Sequence, residues 1–264
     1  MDLGFGGATA VIAGGTRGIG LATALCLARE GCRVGIIGRD VPRLTAAADA
    51  ARDAGGAEVL ALPADLTSGA DVADVFDELT SRWGVLNVLV NAAGPAGAGR
   101  FEDLTDADWA DTFDHGVTSA VRCVRAALPL LRAAGWSRIV NVTAMSVQHQ
   151  SPGLVSYTAA KSALLSVTKN LARSLAPDGI LVNAVAPGPI LTDWAGPVLA
   201  AAGVDVEDPV AAFGLLARGH GMSVDLKRLG LPEEVAAVVA FCASRSNSYM
   251  TGAHLNVDGG SDFL

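Results

Sequence analysis

The stretch "TAVIAGGTRGIGLATALCLARE", Thr9 to Glu30, decides the fold. It opens on a short apolar run, "TAVIAG" (9–14), passes through a glycine-rich turn and enters a segment with helical spacing, "LATALCLARE" (21–30). A continuous apolar run of that length reads as a strand buried on both faces, as in a parallel sheet. Glycines at 14, 18 and 20 let the backbone approach an anion, and the N-terminus of the following helix favours negative charge. The turn "AGGTRGIG" (13–20), with Gly14, Thr16, Arg17, Gly18, Ile19 and Gly20, therefore reads as a pyrophosphate cradle.

The same rhythm continues outward. Strands are expected at "RVGIIG" (33–38), "EVLALPADL" (58–66), "LNVLVNAAG" (86–94), "SRIVNVT" (137–143), "ILVNAVAPG" (180–188) and "AHLNVDGG" (253–260). Helices are expected at 41–56, 71–83, 106–134, 156–175 and 232–244, the last opening on Pro232 with acids behind it. Strands alternating with helices predict a Rossmann-type, doubly wound α/β fold with a parallel sheet of about seven strands. Residues 1–264 read as a single dinucleotide-binding and catalytic domain. Only 189–231, carrying Trp194, Phe213, His220 and Met222, breaks the pattern and reads as a substrate flap, with packing at a subunit interface the equal alternative for its apolar residues.

Composition narrows the function. A formal net charge of −8 argues against nucleic acid and anionic membranes as partners. No apolar run reaches membrane-span length, and the N-terminus lacks the marks of a signal peptide, so a cytoplasmic protein is expected. Cys26, Cys32, Cys123 and Cys242 are scattered, and the histidines have no ligand spacing, so no metal site is expected.

Two clusters point to chemistry. A ribose 2′-hydroxyl calls for an acid at the end of the second strand, a 2′-phosphate for cations. Gly38 stands where the acid belongs, Arg39 follows, and Arg17 lies in the glycine turn, which favours NADP(H) over NAD(H); Asp40 is the competing acid. Tyr157 and Lys161 have i, i+4 spacing on one helix face, so the ammonium favours the phenolate of a tyrosine that is otherwise a poor base near neutrality. Lysine occurs only at 161, 169 and 227 in this arginine-preferring chain, which makes its presence there informative.

These motifs, in this order, resemble the short-chain dehydrogenase/reductase family almost from end to end. Ala13 replaces the threonine that usually opens the glycine motif. Asp65-Leu66 resembles the family's adenine contact, and "NAAG" (Asn91, Ala92, Ala93, Gly94) its Asn-Asn-Ala-Gly turn. "YTAAK" resembles Tyr-x-x-x-Lys. "PGPILT", with Pro187, Gly188, Ile190 and Thr192, resembles the motif that holds the nicotinamide end. The resemblance implies a homodimer or homotetramer acting on a small-molecule substrate.

Two members of the family's catalytic set are absent: its serine falls on Ala144, thirteen residues before Tyr157, and its helix asparagine on Gly116. Thr143 is expected to point away, whereas Ser146 would share the face of residue 144 if the strand continued. Ser146 is the expected substitute donor, with His149 or Gln148 behind it and Gln150 adding polarity to the same loop. Three readings stay open. One is an NADP(H)-dependent ketoreductase or alcohol dehydrogenase for a small to medium apolar substrate. The second is a catalytically impaired NADP(H)-binding protein, and the third is non-redox dehydration, isomerisation or cyclisation in the same pocket.

Overall fold

A computed structural model describes residues 2–95, 99–205, 207–220 and 223–261. Strands β1 (Thr9–Ala13), β2 (Arg33–Gly38), β3 (Glu58–Pro63), β4 (Val88–Asn91), β5 (Ser137–Val142), β6 (Ile180–Pro187) and β7 (His254–Val257) form one sheet in the order β3-β2-β1-β4-β5-β6-β7. Every neighbouring pair is parallel. The order reverses between β1 and β4, and in open α/β sheets ligands bind at such a switch point, outside the strand carboxyl ends.

Helices α1 (Gly18–Arg29), α2 (Val41–Asp53), α3 (Gly69–Arg82), α4 (Asp106–Phe113), α5 (Ser119–Ala133), α6 (Val155–Leu175), α7 (Gly196–Ala201), α8 (Pro209–His220) and α9 (Pro232–Ala243) complete the chain. The two-residue alternation of the strands separates two cores. Ala10 and Ile12 of β1 pack with Leu27 of α1 and Val239 of α9, while Val11 and Ala13 pack with Phe76 of α3 and Leu131 of α5. The larger of these side chains, Ile, Leu, Val and Phe, each contribute about 1.5–3 kcal/mol when fully buried, which is what holds helices on both sheet faces. Among the described residues no helix is long and apolar enough to cross a membrane.

Three expectations need correction. The third strand ends at Pro63 rather than 66, because Asp65 turns the chain: its carboxylate accepts from the Thr67 amide at 2.9 Å and its carbonyl from the Ser68 amide at 2.9 Å. The helix expected over 106–134 is two helices joined by a π-helical turn, Asp114–Thr118, in which the Ser119 amide reaches back to the Asp114 carbonyl. Gly116, a poor helix former, sits in the middle of that turn.

The third correction concerns β5, which stops at Val142; Ala144 is still extended, and Met145–Val147 forms a tight 3₁₀ turn. Strand alternation therefore does not place Ser146. Segment 189–231 has helices of its own, α7 and α8. Its ends are tied by Leu191 N to Gly230 O (2.8 Å) and Gly230 N to Pro189 O (3.0 Å), over a small core of Leu191, Leu199, Leu216 and Leu229.

Candidate active site

The glycine turn leaves β1 where the sheet order reverses. A Cβ on Gly14 would lie 2.6 Å from the Ala93 nitrogen, and one on Gly20 would collide with the Gly14 carbonyl oxygen. Gly18 has φ +51°, and a Cβ there would meet Thr192 Cγ2 at 3.2 Å. Arg17 precedes α1 without a capping side-chain bond, whereas Asp40, Ser68 and Thr105 cap α2, α3 and α4. The first turn of α1, with Ile19 in it, thus keeps uncapped N–H groups facing a backbone-lined recess. These residues fit a pyrophosphate.

The corner between β2 and α2 carries Arg17, Arg39 and Arg43 beside Asp40, Asp65 and Asp193. A Cβ on Gly38 would collide with the Thr16 methyl, so an acid does not fit there without moving Thr16. Asp40 is spent as the α2 cap: its carboxylate accepts from the Arg43 amide at 3.1 Å. Arg39 pairs with Asp65 at 3.5 Å, while Arg17 and Arg43 share Asp193 at 3.9 and 3.8 Å. Arg43 and Asp193 escaped sequence reading. The signal for Arg43 was Asp40 as a helix cap, which sets residue 43 one turn into α2. Asp65 is held below the usual carboxylate range, first by the Thr67 amide and then by the Thr67 hydroxyl and Arg39.

The β4 turn presents backbone. The amides of Ala92 and Ala93 both donate to the Ala13 carbonyl at 2.9 Å. Asn91 is turned inward: its amide donates to Asn141 Oδ1 at 2.8 Å, and Asn141 donates to Thr168 Oγ1 on α6 at 2.9 Å. This buried chain ties β4, β5 and α6 together behind the site. Across the sheet Pro187 pairs with Val257, and the Gly188 amide donates to the Val257 carbonyl at 3.0 Å. Ile190 is buried, and Thr192 lies against Gly18. Leu66 offers its carbonyl to Arg122 at 3.4 Å.

Helix α6 carries Tyr157 and Lys161 over the end of β5. Lys161 is 3% exposed, its Nζ donates to the Val142 carbonyl at 2.8 Å, and it lies 5.8 Å from the centre of the Tyr157 ring. Burial lowers the Lys161 ammonium to about 8 and raises the Tyr157 phenol to about 12. Both shifts favour the neutral forms.

The loop after β5 sorts the candidate donors. Thr143 is committed, donating to the Val185 carbonyl at 3.1 Å and lying 3.0 Å from His254 Nε2. Gln148 is exposed and accepts from Asn256 at 2.7 Å; His149 and Gln150 are exposed. Ser146 is buried, 5% exposed, and its hydroxyl has no hydrogen-bond partner among the described residues. Ala144 is also buried.

Within segment 189–231, Phe213 packs on the segment's own small core and Trp194 is half exposed, its indole N–H donating to the Ile190 carbonyl at 2.9 Å. Met222 and the His220 side chain lie outside the described residues.

A family model described as "Enoyl-(Acyl carrier protein) reductase" matches residues 13–262. The chain is 31% identical over 252 residues to the 3-oxoacyl-[acyl-carrier-protein] reductase FabG of Staphylococcus epidermidis, covering 96% of this chain and 98% of that one. It is 32% identical over 252 residues to the acetoacetyl-CoA reductase of Cupriavidus necator, covering 95% and 96%. The L-sorbose reductase of Gluconobacter frateurii, solved with NADPH and L-sorbose, superposes over 100% of both chains with a TM-score of 0.91 at 31% identity.

Proposed function

The chain belongs to the short-chain dehydrogenase/reductase family, and from that footing we propose that it is an NADP(H)-dependent ketoreductase for small to medium, largely apolar ketones. The observation that carries this reading is the meeting of Tyr157 and Lys161 at the end of β5, with only β4 between that strand and the β1 that leads into the glycine cradle. The reductases among the relatives support it, as does the NADPH in the L-sorbose reductase.

When bound, the nicotinamide supplies hydride to the carbonyl carbon. Tyr157 donates the proton to the oxygen as charge develops there. A phenol raised to about 12 by burial carries its proton at neutral pH and can donate it. Lys161, charged below about pH 8, supports the phenolate left behind. Ser146 donates the second hydrogen bond to the oxygen, in place of the absent serine. Segment 189–231 acts as the substrate flap, and the exposed Phe241 and Tyr249 suit a homo-oligomer interface.

Two outcomes are expected. Ser146→Ala will lower kcat for ketone reduction by roughly tenfold to a hundredfold, the worth of one hydrogen bond to a charged group. NADPH oxidation across a panel of 3-oxoacyl thioesters and simple ketones reads this, and a wild-type rate would remove Ser146 from the site. Arg39→Ala will weaken NADPH binding by about one to two orders of magnitude while leaving NADH binding nearly unchanged. Calorimetric titration of both cofactors checks the difference, and equal losses would refute the selectivity assignment. Tight NADPH binding with no ketone reduced anywhere in the panel would refute the reductase reading itself.

A further inference from the structure

A closed circuit of contacts surrounds Lys161. A Cβ on Gly94 would lie 3.1 Å from Lys161 Nζ, so the Gly94 backbone roofs the ammonium. The next residue is Pro95. A Cβ on Gly116 would lie 3.2 Å from both Pro95 Cγ and Cδ, and 3.0 Å from the Cβ of Ala160, the residue before Lys161. The circuit thus runs from the ammonium through Gly94, Pro95, Gly116 and Ala160 back to Lys161.

Glycine inside a helix is disfavoured by about 1 kcal/mol relative to alanine, so a packing reason is needed to keep one at 116. The proline ring supplies it. At these distances even a methyl group at 116 forces Pro95 or Ala160 to move, and an asparagine side chain meets the ring. The π-helical turn Asp114–Thr118 brings this glycine against α6. The glycine that stands in place of the family's helix asparagine thus faces a proline ring on the opposite wall.

We propose that Pro95 and Gly116 are a matched pair that seals the space beside Lys161, making Pro95 a positioning residue for the Tyr157–Lys161 couple. The inference rests on the reading of that couple as the proton-transfer unit. With the space sealed, the ammonium makes one hydrogen bond among the described residues, to Val142. Of its three donors, two are left for whatever fills the cleft. Removing the ring opens a path for water, rehydrates the charged form and returns the lysine toward its ordinary behaviour.

The test is a double-mutant cycle of Pro95→Ala and Gly116→Ala, read without cofactor or substrate. The chain has lysine only at 161, 169 and 227, so ¹³C-lysine labelling gives few ε-carbon signals, and Lys161→Met assigns the one of interest. In wild type its titration midpoint is expected at about 8. Pro95→Ala should raise it by about one pH unit or more. Gly116→Ala should lower the urea midpoint, and adding Pro95→Ala should recover most of that loss, because residues in contact do not combine additively. An unmoved lysine midpoint in Pro95→Ala, or strictly additive stabilities, overturns the proposal. If Gly116→Ala does not fold, the lysine midpoint in Pro95→Ala decides alone. Because neither readout involves turnover, a failure to reduce ketones leaves this test standing, and its failure leaves the reductase assay untouched.

Discussion

Tyr157→Phe is expected to lower kcat for ketone reduction by about a hundred- to ten-thousandfold, the range typical of losing a positioned acid–base group. The substitution removes one oxygen and little else. The ring is partly buried on α6 and lies 5.8 Å from Lys161 Nζ, and phenylalanine fills the same space. The loss should therefore fall on kcat, with substrate KM and NADPH affinity close to wild type, as for an interaction made in the transition state. Direction adds a second signature. Burial pushes the phenol to about 12, so alcohol oxidation, which needs the phenolate, should be slow at neutral pH and accelerate as pH rises. Steady-state kinetics in both directions across pH read both effects. A variant that keeps more than about a tenth of wild-type kcat would mean that the proton comes from elsewhere, with Ser146 the first group to examine.

The architecture was legible because it rests on repeating signals. Short apolar runs, helical periodicity and glycine placement depend on local chemistry, and the order of the elements then admits few topologies. Segment ends were less legible. The turn that ends β3 is set by Asp65 bonding its own neighbours, and the break between α4 and α5 is set by how Gly116 meets α6. Neither contact leaves a periodic trace.

The site divides in the same way. Tyr157 and Lys161 could be read from spacing within one helix, and Gly14, Gly18 and Gly20 from spacing within one turn. Strand alternation, which points to Ser146 in the sequence, does not reach it in the structure, because β5 ends at Val142. What distinguishes Ser146 is burial and a hydroxyl with no partner among the described residues, properties set by residues distant in sequence. Arg43, Asp193 and the Pro95–Gly116 contact are likewise products of tertiary packing. A proline ring against a helix glycine has no signature in one chain's spacing.

Lys161→Met should separate stability from function. The lysine is 3% exposed, and burial brings its ammonium from the ordinary 10.5 down to about 8. The folded-state value is depressed, so between pH 8 and 10.5 the unfolded chain binds more protons than the folded one. Wild-type stability then rises with pH across that window relative to a chain lacking the group. Below pH 8 the folded protein carries a buried charge, at a penalty on the order of 3 kcal/mol, partly offset by the hydrogen bond to Val142. In the folded protein Tyr157 keeps its proton up to about pH 12, so its own titration lies largely above this window. Lys161→Met should therefore unfold at higher urea than wild type at pH 7, with the gap closing toward pH 10. Its kcat should fall by about a hundredfold or more, because the phenolate left by proton transfer has no nearby cation. In wild type, kcat/KM for ketone reduction, which reports free-enzyme ionisations, should decline above about pH 8, and the variant's residual rate should lack that limb. Urea titrations of both proteins at pH 7 and pH 10 decide the first half. Parallel curves with a constant gap would mean that Lys161 is not the buried, easily discharged group its surroundings make it.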